Sequence, residues 1–266
     1  MKKYIGEVAP ARFCLFYAFA NAAVSLAFWA FHDAPPAFAP ENRQFATYGL
    51  LAYVLDGSAW ILYYQSIVHG PISIVGTLSA AYPALTVVFA RLFLDEVLTT
   101  SQYVGVAAVI AGCLALAYTP REAQTRKTQR RWMAYAGAAV LIWGVSATLI
   151  RYAYRFPGAH EANMALFLAV GGLMTLGAYG LAFGRRGAGR EWGRSLGPMG
   201  TMAIGSLLAA IAYKNGPASV VTPLSGAYPV VTLGFAWAIL QERPSAIQWA
   251  GIVLVLVGMV LSTASA

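Results

Sequence analysis

Apolar residues run along this chain in long stretches, parted by short polar segments. The stretches lie near 12–31, 45–68, 72–94, 101–118, 132–152, 162–183, 198–213, 218–240 and 246–262. About 20 apolar residues cross a bilayer as a helix, so each stretch predicts one membrane span. Strand spans would alternate apolar and polar positions over about ten residues, and these stretches do not. The linkers are short, so the spans predict one compact bundle. The expected fold class is an all-α integral membrane protein, multi-pass in the cell (inner) membrane.

Two of these regions are near copies of each other. GPISIVGTLSAAYPALTVVFARLFLDEVLTTSQYVGVAAVIAG, residues 70–112, aligns without a gap on GPASVVTPLSGAYPVVTLGFAWAILQERPSAIQWAGIVLVLVG, residues 216–258. Gly70, Pro71, Ser73, Ser79, Tyr82, Pro83, Thr86, Glu96, Gln102, Gly105 and Gly112 recur as Gly216, Pro217, Ser219, Ser225, Tyr228, Pro229, Thr232, Glu242, Gln248, Gly251 and Gly258. A repeat in an apolar chain is the pattern of a transporter built from two halves. The halves are expected at 1–119 and 132–266, joined by a basic linker at 120–131. Carried backwards, the alignment sets Met1 opposite about Tyr152, so span 132–152 has no counterpart. The chain reads as four spans plus five, where the repeat demands five plus five. A lost first span, a fragment and a misplaced start codon each explain this, and the last two are the favoured expectation. Met1, Lys2 and Lys3 with the Ala18, Phe19, Ala20 triplet imitate a signal peptide, but Leu15 and Phe16 align with Leu166 and Phe167 of a later span. An odd number of spans per repeat inverts one copy, so the copies meet about a two-fold axis in the membrane plane.

Composition agrees with this reading. The chain is 59% apolar and only 11% charged, against about 25% charged in soluble domains. Its mean hydropathy is +0.62. The net charge of +8 does not point to nucleic acid, because Lys and Arg gather in loops. One set of loops holds Lys2, Lys3, Arg121, Arg126, Lys127, Arg130, Arg131, Arg185, Arg186, Arg190, Arg194 and Arg243. The other holds Arg43, Arg91, Arg151, Arg155 and Lys214. By the positive-inside rule the first set is cytoplasmic. Cys14 and Cys113 lie within spans and read as small core residues, not a disulfide or metal pair. His32, His69 and His160 are scattered without ligand spacing, so neither a metal nor a cofactor is expected.

The repeated polar positions carry the candidate chemistry. Pro71 and Pro217 suit a helix start. Pro83 and Pro229 fall near mid-span, where a proline kinks the helix and frees the carbonyl four residues back, at Ser79 and Ser225. A free carbonyl at that depth needs protein or a wet cavity against it. Ser79, Tyr82, Ser225 and Tyr228 therefore form a candidate substrate band, the alternative being a kink that serves packing alone. Thr99 with Gln102, and Ser245 with Gln248, have capping-box spacing. Glu96 and Glu242 precede those helix starts and favour them electrostatically, a gating role being the alternative. Gly105, Gly112, Gly251 and Gly258 form small-residue faces that seal a helix pair, across the halves or between protomers of a homodimer. Asp56 is the one carboxylate clearly inside a span, a candidate for coupling to protons. Its alternatives are a structural partner for Arg91 or Arg151, or a place at the membrane boundary. Trp60 shares the Asp56 face, which suits a cationic or amphipathic substrate. Asn21, Gln65 and Trp143 are further cavity candidates.

With the motifs LSAAYP…LDE…TTSQYVG and PLSGAYP…LQERPSAIQWAG, and Trp143-Gly144 in the unmatched span, the chain resembles the EamA-type members of the drug/metabolite transporter superfamily. The resemblance implies ten helices in two inverted five-helix repeats with a substrate cavity between them. It implies a secondary transporter exporting small metabolites or drugs by alternating access, not an enzyme. The chain departs from the pattern in lacking the first helix and in the orientation its basic loops suggest. No Gly-rich nucleotide-binding pattern is present, so ATP is not the expected driver and proton exchange is. Lipid-linked or quaternary ammonium substrates, or an accessory subunit that does not transport, are the alternatives. The expected partners are the bilayer, a small-molecule substrate and protons.

Overall fold

The computed structural model describes residues 9–70, 75, 79, 81–117, 131–184, 190–227, 230 and 245–263. The described secondary structure is helical: α1 (Pro10–Ala30), a 3₁₀ turn (Pro40–Asn42), α2 (Arg43–His69), α3 (Tyr82–Phe93), α4 (Thr100–Ala117), α5 (Arg131–Ala153), α6 (Glu161–Gly172), a π turn (Leu173–Gly177), α7 (Ala178–Phe183), α8 (Arg190–Asn215), α9 (Ala218–Ser225) and α10 (Ala246–Thr263). Among the described residues, five stretches are long and apolar enough to cross a membrane: Pro10–Ala30, Pro40–His69, Arg131–Ala153, Glu161–Phe183 and Glu191–Asn215. Leu92, Phe93, Leu181, Phe183, Leu196, Leu208 and Val260 are exposed, an apolar surface that suits lipid.

The helix starts follow local chemistry. Thr99 and Gln102 exchange hydrogen bonds, backbone N–H to Oε1 at 3.0 Å and backbone N–H to Oγ1 at 3.3 Å, which caps α4. Ser245 and Gln248 do the same for α10 at 2.9 and 3.3 Å. Both copies thus use the predicted capping box. The predicted start at Pro198 is corrected. Helix α8 begins at Arg190 and runs through Pro198, so Arg190 and Arg194 belong to a helix and not to a loop. Pro198 lies on an exposed face, where the carbonyl it frees can find other partners.

The contacts of the two halves exchange as a two-fold demands. The α1–α8 and α6–α2 interfaces are repeat equivalents and are of similar extent. Equivalent helices α4 and α10 form one of the two largest interfaces. A Cβ on Gly105 would meet the Gly258 carbonyl oxygen at 2.8 Å, and one on Gly112 would meet the Gly251 carbonyl oxygen at 2.7 Å. Residue 105 faces 258 while 112 faces 251, so the helices run antiparallel and the two copies are inverted there. The glycine faces therefore join the two halves of one chain.

The symmetry fails at one place. Helix α5 covers α2, burying Ala52 and Ala59. The equivalent α8 positions, Pro198 and Gly205, are exposed, and nothing described lies within 4 Å of Gly205.

Gly105→Ala is expected to lower the melting midpoint in detergent, by the equivalent of about 1–3 kcal/mol, because backbone atoms cannot yield to the new methyl. Gly205→Ala, on the open face, is expected to cause no loss. An equal loss at both positions would refute the glycine crossing as a stabilising contact.

Candidate functional site

Helix α2 presents Tyr53, Asp56, Trp60 and Tyr63 at spacings of three and four, so they share one stripe. That stripe faces the bundle interior. Trp143 of α5 lies 5.1 Å from Trp60 and 5.4 Å from Tyr63, centroid to centroid. Tyr17 of α1 lies 5.5 Å from Trp60, and Tyr82 of α3 lies 5.6 Å from Trp143. The indole N–H groups of Trp143 and Trp60 lie within hydrogen-bonding reach of the Asp56 carboxylate. The hydroxyls of Tyr17, Tyr53, Tyr82 and Tyr213 belong to the same neighbourhood. Asp56 is half-buried among these side chains.

Among the described residues no Lys or Arg forms an ion pair with Asp56. Arg151, one structural partner foreseen for it, approaches Glu96 at 3.8 Å instead. Arg91 is exposed on α3. A carboxylate in hydrocarbon costs at least about 2.5 kcal/mol on insertion scales, so the aromatic enclosure holds an acid with two indole donors and no fixed countercharge.

Each of the two repeat-equivalent regions carries a turn among the described residues. Ala81 is in a turn, and α3 starts afresh at Tyr82 with Pro83 in its first turn. Pro83 thus sits in the first turn of α3, where a missing N–H breaks no hydrogen bond. In the other half, α9 ends at Ser225, and turns at Gly226 and Ala227 follow. Tyr228 and Pro229 lie outside the described residues. Ser79 is buried within hydrogen-bonding reach of the Tyr63 hydroxyl. Ser225 donates to the Thr222 carbonyl at 2.9 Å and lies within hydrogen-bonding reach of Tyr82 and Tyr213. The structure therefore gathers Asp56, Trp60, Trp143, Tyr82, Ser79 and Ser225 around one interior region.

Sequence reasoning missed Tyr17, Tyr53, Tyr63, Tyr213 and Thr222. Tyr17 bonds Ser206 at 2.7 Å, and Tyr213 bonds Thr222 at 2.9 Å. The stripe through Tyr53, Asp56, Trp60 and Tyr63 was a readable signal for two of them. Asn21 is buried beside Tyr17, whereas Gln65 donates to Tyr179 farther along α2.

At one end of the bundle a second polar cluster joins the halves. The Glu96 carboxylate accepts from the Ala218 and Ser219 backbone N–H groups at 2.8 and 3.0 Å, and from the Ser219 hydroxyl at 2.5 Å. Glu96 was expected to favour the start of α4; it caps α9 of the other half. Asp95, with φ of 53°, makes the left-handed turn that directs it there. Arg151 donates to the Tyr213 and Lys214 carbonyls at 2.9 Å each, Arg155 donates to the Leu94 carbonyl, and Lys214 pairs with Glu161. At the opposite end Arg12 pairs with Glu191 at 2.6 Å.

The long apolar helices and the exposed apolar surface are those of a multi-pass membrane protein. The chain belongs to the EamA-like transporter family, whose family model matches residues 1–118 and 130–264. The resemblance carried by the repeated motifs is borne out. The chain is 25% identical over 223 residues to the pseudopaline exporter CntI of Pseudomonas aeruginosa, covering 82% of this chain and 75% of that protein. An uncharacterized protein of Methanocaldococcus jannaschii, MJ1333.1, is 36% identical over 75 residues; the match spans 28% of this chain and 55% of that protein. A solved crystal structure superposes with a TM-score of 0.75 at 19% identity, covering 98% of this chain and 90% of that one.

Asp56→Asn is expected to melt at or above the parent, since it removes a buried charge without a countercharge. A clear drop in the melting midpoint would instead reveal a structural ion pair at Asp56.

Proposed function

We propose that the protein is a secondary transporter that exports small amphipathic cations in exchange for protons, with Asp56 as the site both occupy. The observation that carries this reading is the enclosed Asp56 carboxylate, held by Trp60 and Trp143 and paired with no described cation. A proton or a ligand cation neutralises it, and the two compete for the same oxygens. Rings of Trp60, Trp143, Tyr63 and Tyr82 surround the place a cation would take. Cation–π contact in a desolvated site adds about 2 kcal/mol, and the rings also accept the apolar part of such a substrate.

The broken helices support the same reading. Unwound backbone at the repeat interface leaves carbonyl groups for substrate or water, and a helix C-terminal end such as that of α9 favours positive charge. CntI is named an exporter of the small molecule pseudopaline, which supports export of a small molecule here. In such a cycle protonated Asp56 faces one side, and its proton is displaced by the cation on the other.

The test uses proteoliposomes with an acidic lumen and ethidium as the probe cation. The parent is expected to accumulate ethidium, and dissipation of the proton gradient to abolish accumulation. Asp56→Asn is expected to lower the rate at least about ten-fold, while Trp143→Leu mainly raises KM. No accumulation by the parent, or full gradient-driven accumulation by Asp56→Asn, would overturn the proposal.

A further inference from the structure

We propose that the Glu96 carboxylate is a releasable latch: it shuts the bundle at its own end, and the interior opens to that side only when it lets go of α9. The inference rests on the transporter reading and adds to it the element that moves.

Four observations converge on Glu96. First, its bonds cross between the halves, from the turn after α3 to the first turn of α9. Second, the bonds are charge-assisted and made to the positive end of a helix, where a carboxylate is held strongly yet without a covalent or apolar anchor. Third, its side chain is only 7% exposed, so release admits water to a place now sealed. Fourth, Arg151 lies beside Glu96 and also grips the carbonyls of Tyr213 and Lys214 at the end of α8. One cation and one anion thus hold the two helix ends that meet at residues 215–218, each by the end its charge suits.

The latch is mechanically linked to the centre. Helix α9 is eight residues long, about 12 Å by helical rise. Its first turn carries the Glu96 contacts. Thr222 bonds the Tyr213 hydroxyl, and Ser225 lies within reach of Tyr82 and Tyr213. A ligand that displaces Thr222 or Ser225 therefore moves Ser219 as part of the same short rod. The repeat encodes the acid and serine once more, as Glu242 and Ser73, which lie outside the described residues; the proposal does not depend on them.

The experiment measures access, not transport. Ser225→Cys is placed in a background carrying Cys14→Ala and Cys113→Ser and reconstituted as the full chain. A membrane-impermeant methanethiosulfonate is added from the Glu96 end. Glu96→Gln and Ser219→Ala are each expected to speed labelling by roughly five-fold or more, because they shift the population toward the open end. Folded, monodisperse variants that label at the parent rate would reduce Glu96 to a static cap and overturn the latch. Should those variants fail to fold, Glu96→Cys with Ser219→Cys decides the matter after bridging by a short bis-methanethiosulfonate. Bridging is expected to abolish Ser225→Cys labelling from that end, and reductant to restore it. Unchanged labelling of the bridged protein overturns the latch. Neither arm needs a transported substrate, so failure of the ethidium test would strike the proposed cargo and not the latch.

Discussion

Hydrocarbon cannot satisfy a backbone amide, and this one constraint organises the bundle. A spanning helix must stay continuous unless its break faces protein or an internal polar space. Among the described residues, turns interrupt the helices at Ala81 and at Gly226–Ala227, at equivalent places in the two halves. Both face inward, with Tyr82 packed on Trp143 and Ser225 beside Tyr82 and Tyr213. The interior is therefore polar where the helices are broken, and Asp56 is tolerated there with two indole donors.

The inverted repeat extends this constraint to the whole chain. The antiparallel crossing of α4 and α10 pins one end of each half to the other through glycine contacts too close for any side chain. The short α9 reaches from the Glu96 contacts to Thr222 and Ser225 beside Tyr213. The rest of α8 and α2 forms walls with unequal cover. Those walls carry the residues that lack repeat counterparts, Asp56 among them, so the site is asymmetric although its frame is not.

The sequence was most legible where a feature is local or repeated. Spans followed from unbroken apolar runs, inversion from an odd span count, and both capping boxes from a three-residue spacing. Asp56 and Trp60 were legible because they share a helix face. Their convergence with Trp143, nearly ninety positions later, was not, since no local rule pairs α2 with α5. Tyr17 and Tyr213 escaped because a tyrosine in an apolar run reads equally well as core. Glu96 was misread for a similar reason. Its charge was assigned to the nearest helix start in sequence, while the turn at Asp95 sends it to one more than a hundred residues away. Pro83 illustrates a further ambiguity: mid-span proline signals a kink and a helix start alike, and only the turn at Ala81 separates them.

In the proposed cycle a proton and a cation exchange on one carboxylate, Asp56. The most direct test of this exchange is proton release on binding, followed with a pH dye in weakly buffered detergent solution as ethidium is added to purified protein. Above the pH at which the empty carboxylate is deprotonated no release is expected. Below it, about one proton per bound cation is expected to leave, and none from Asp56→Asn. Cation binding without proton release at every pH, or equal release from Asp56→Asn, would contradict the account.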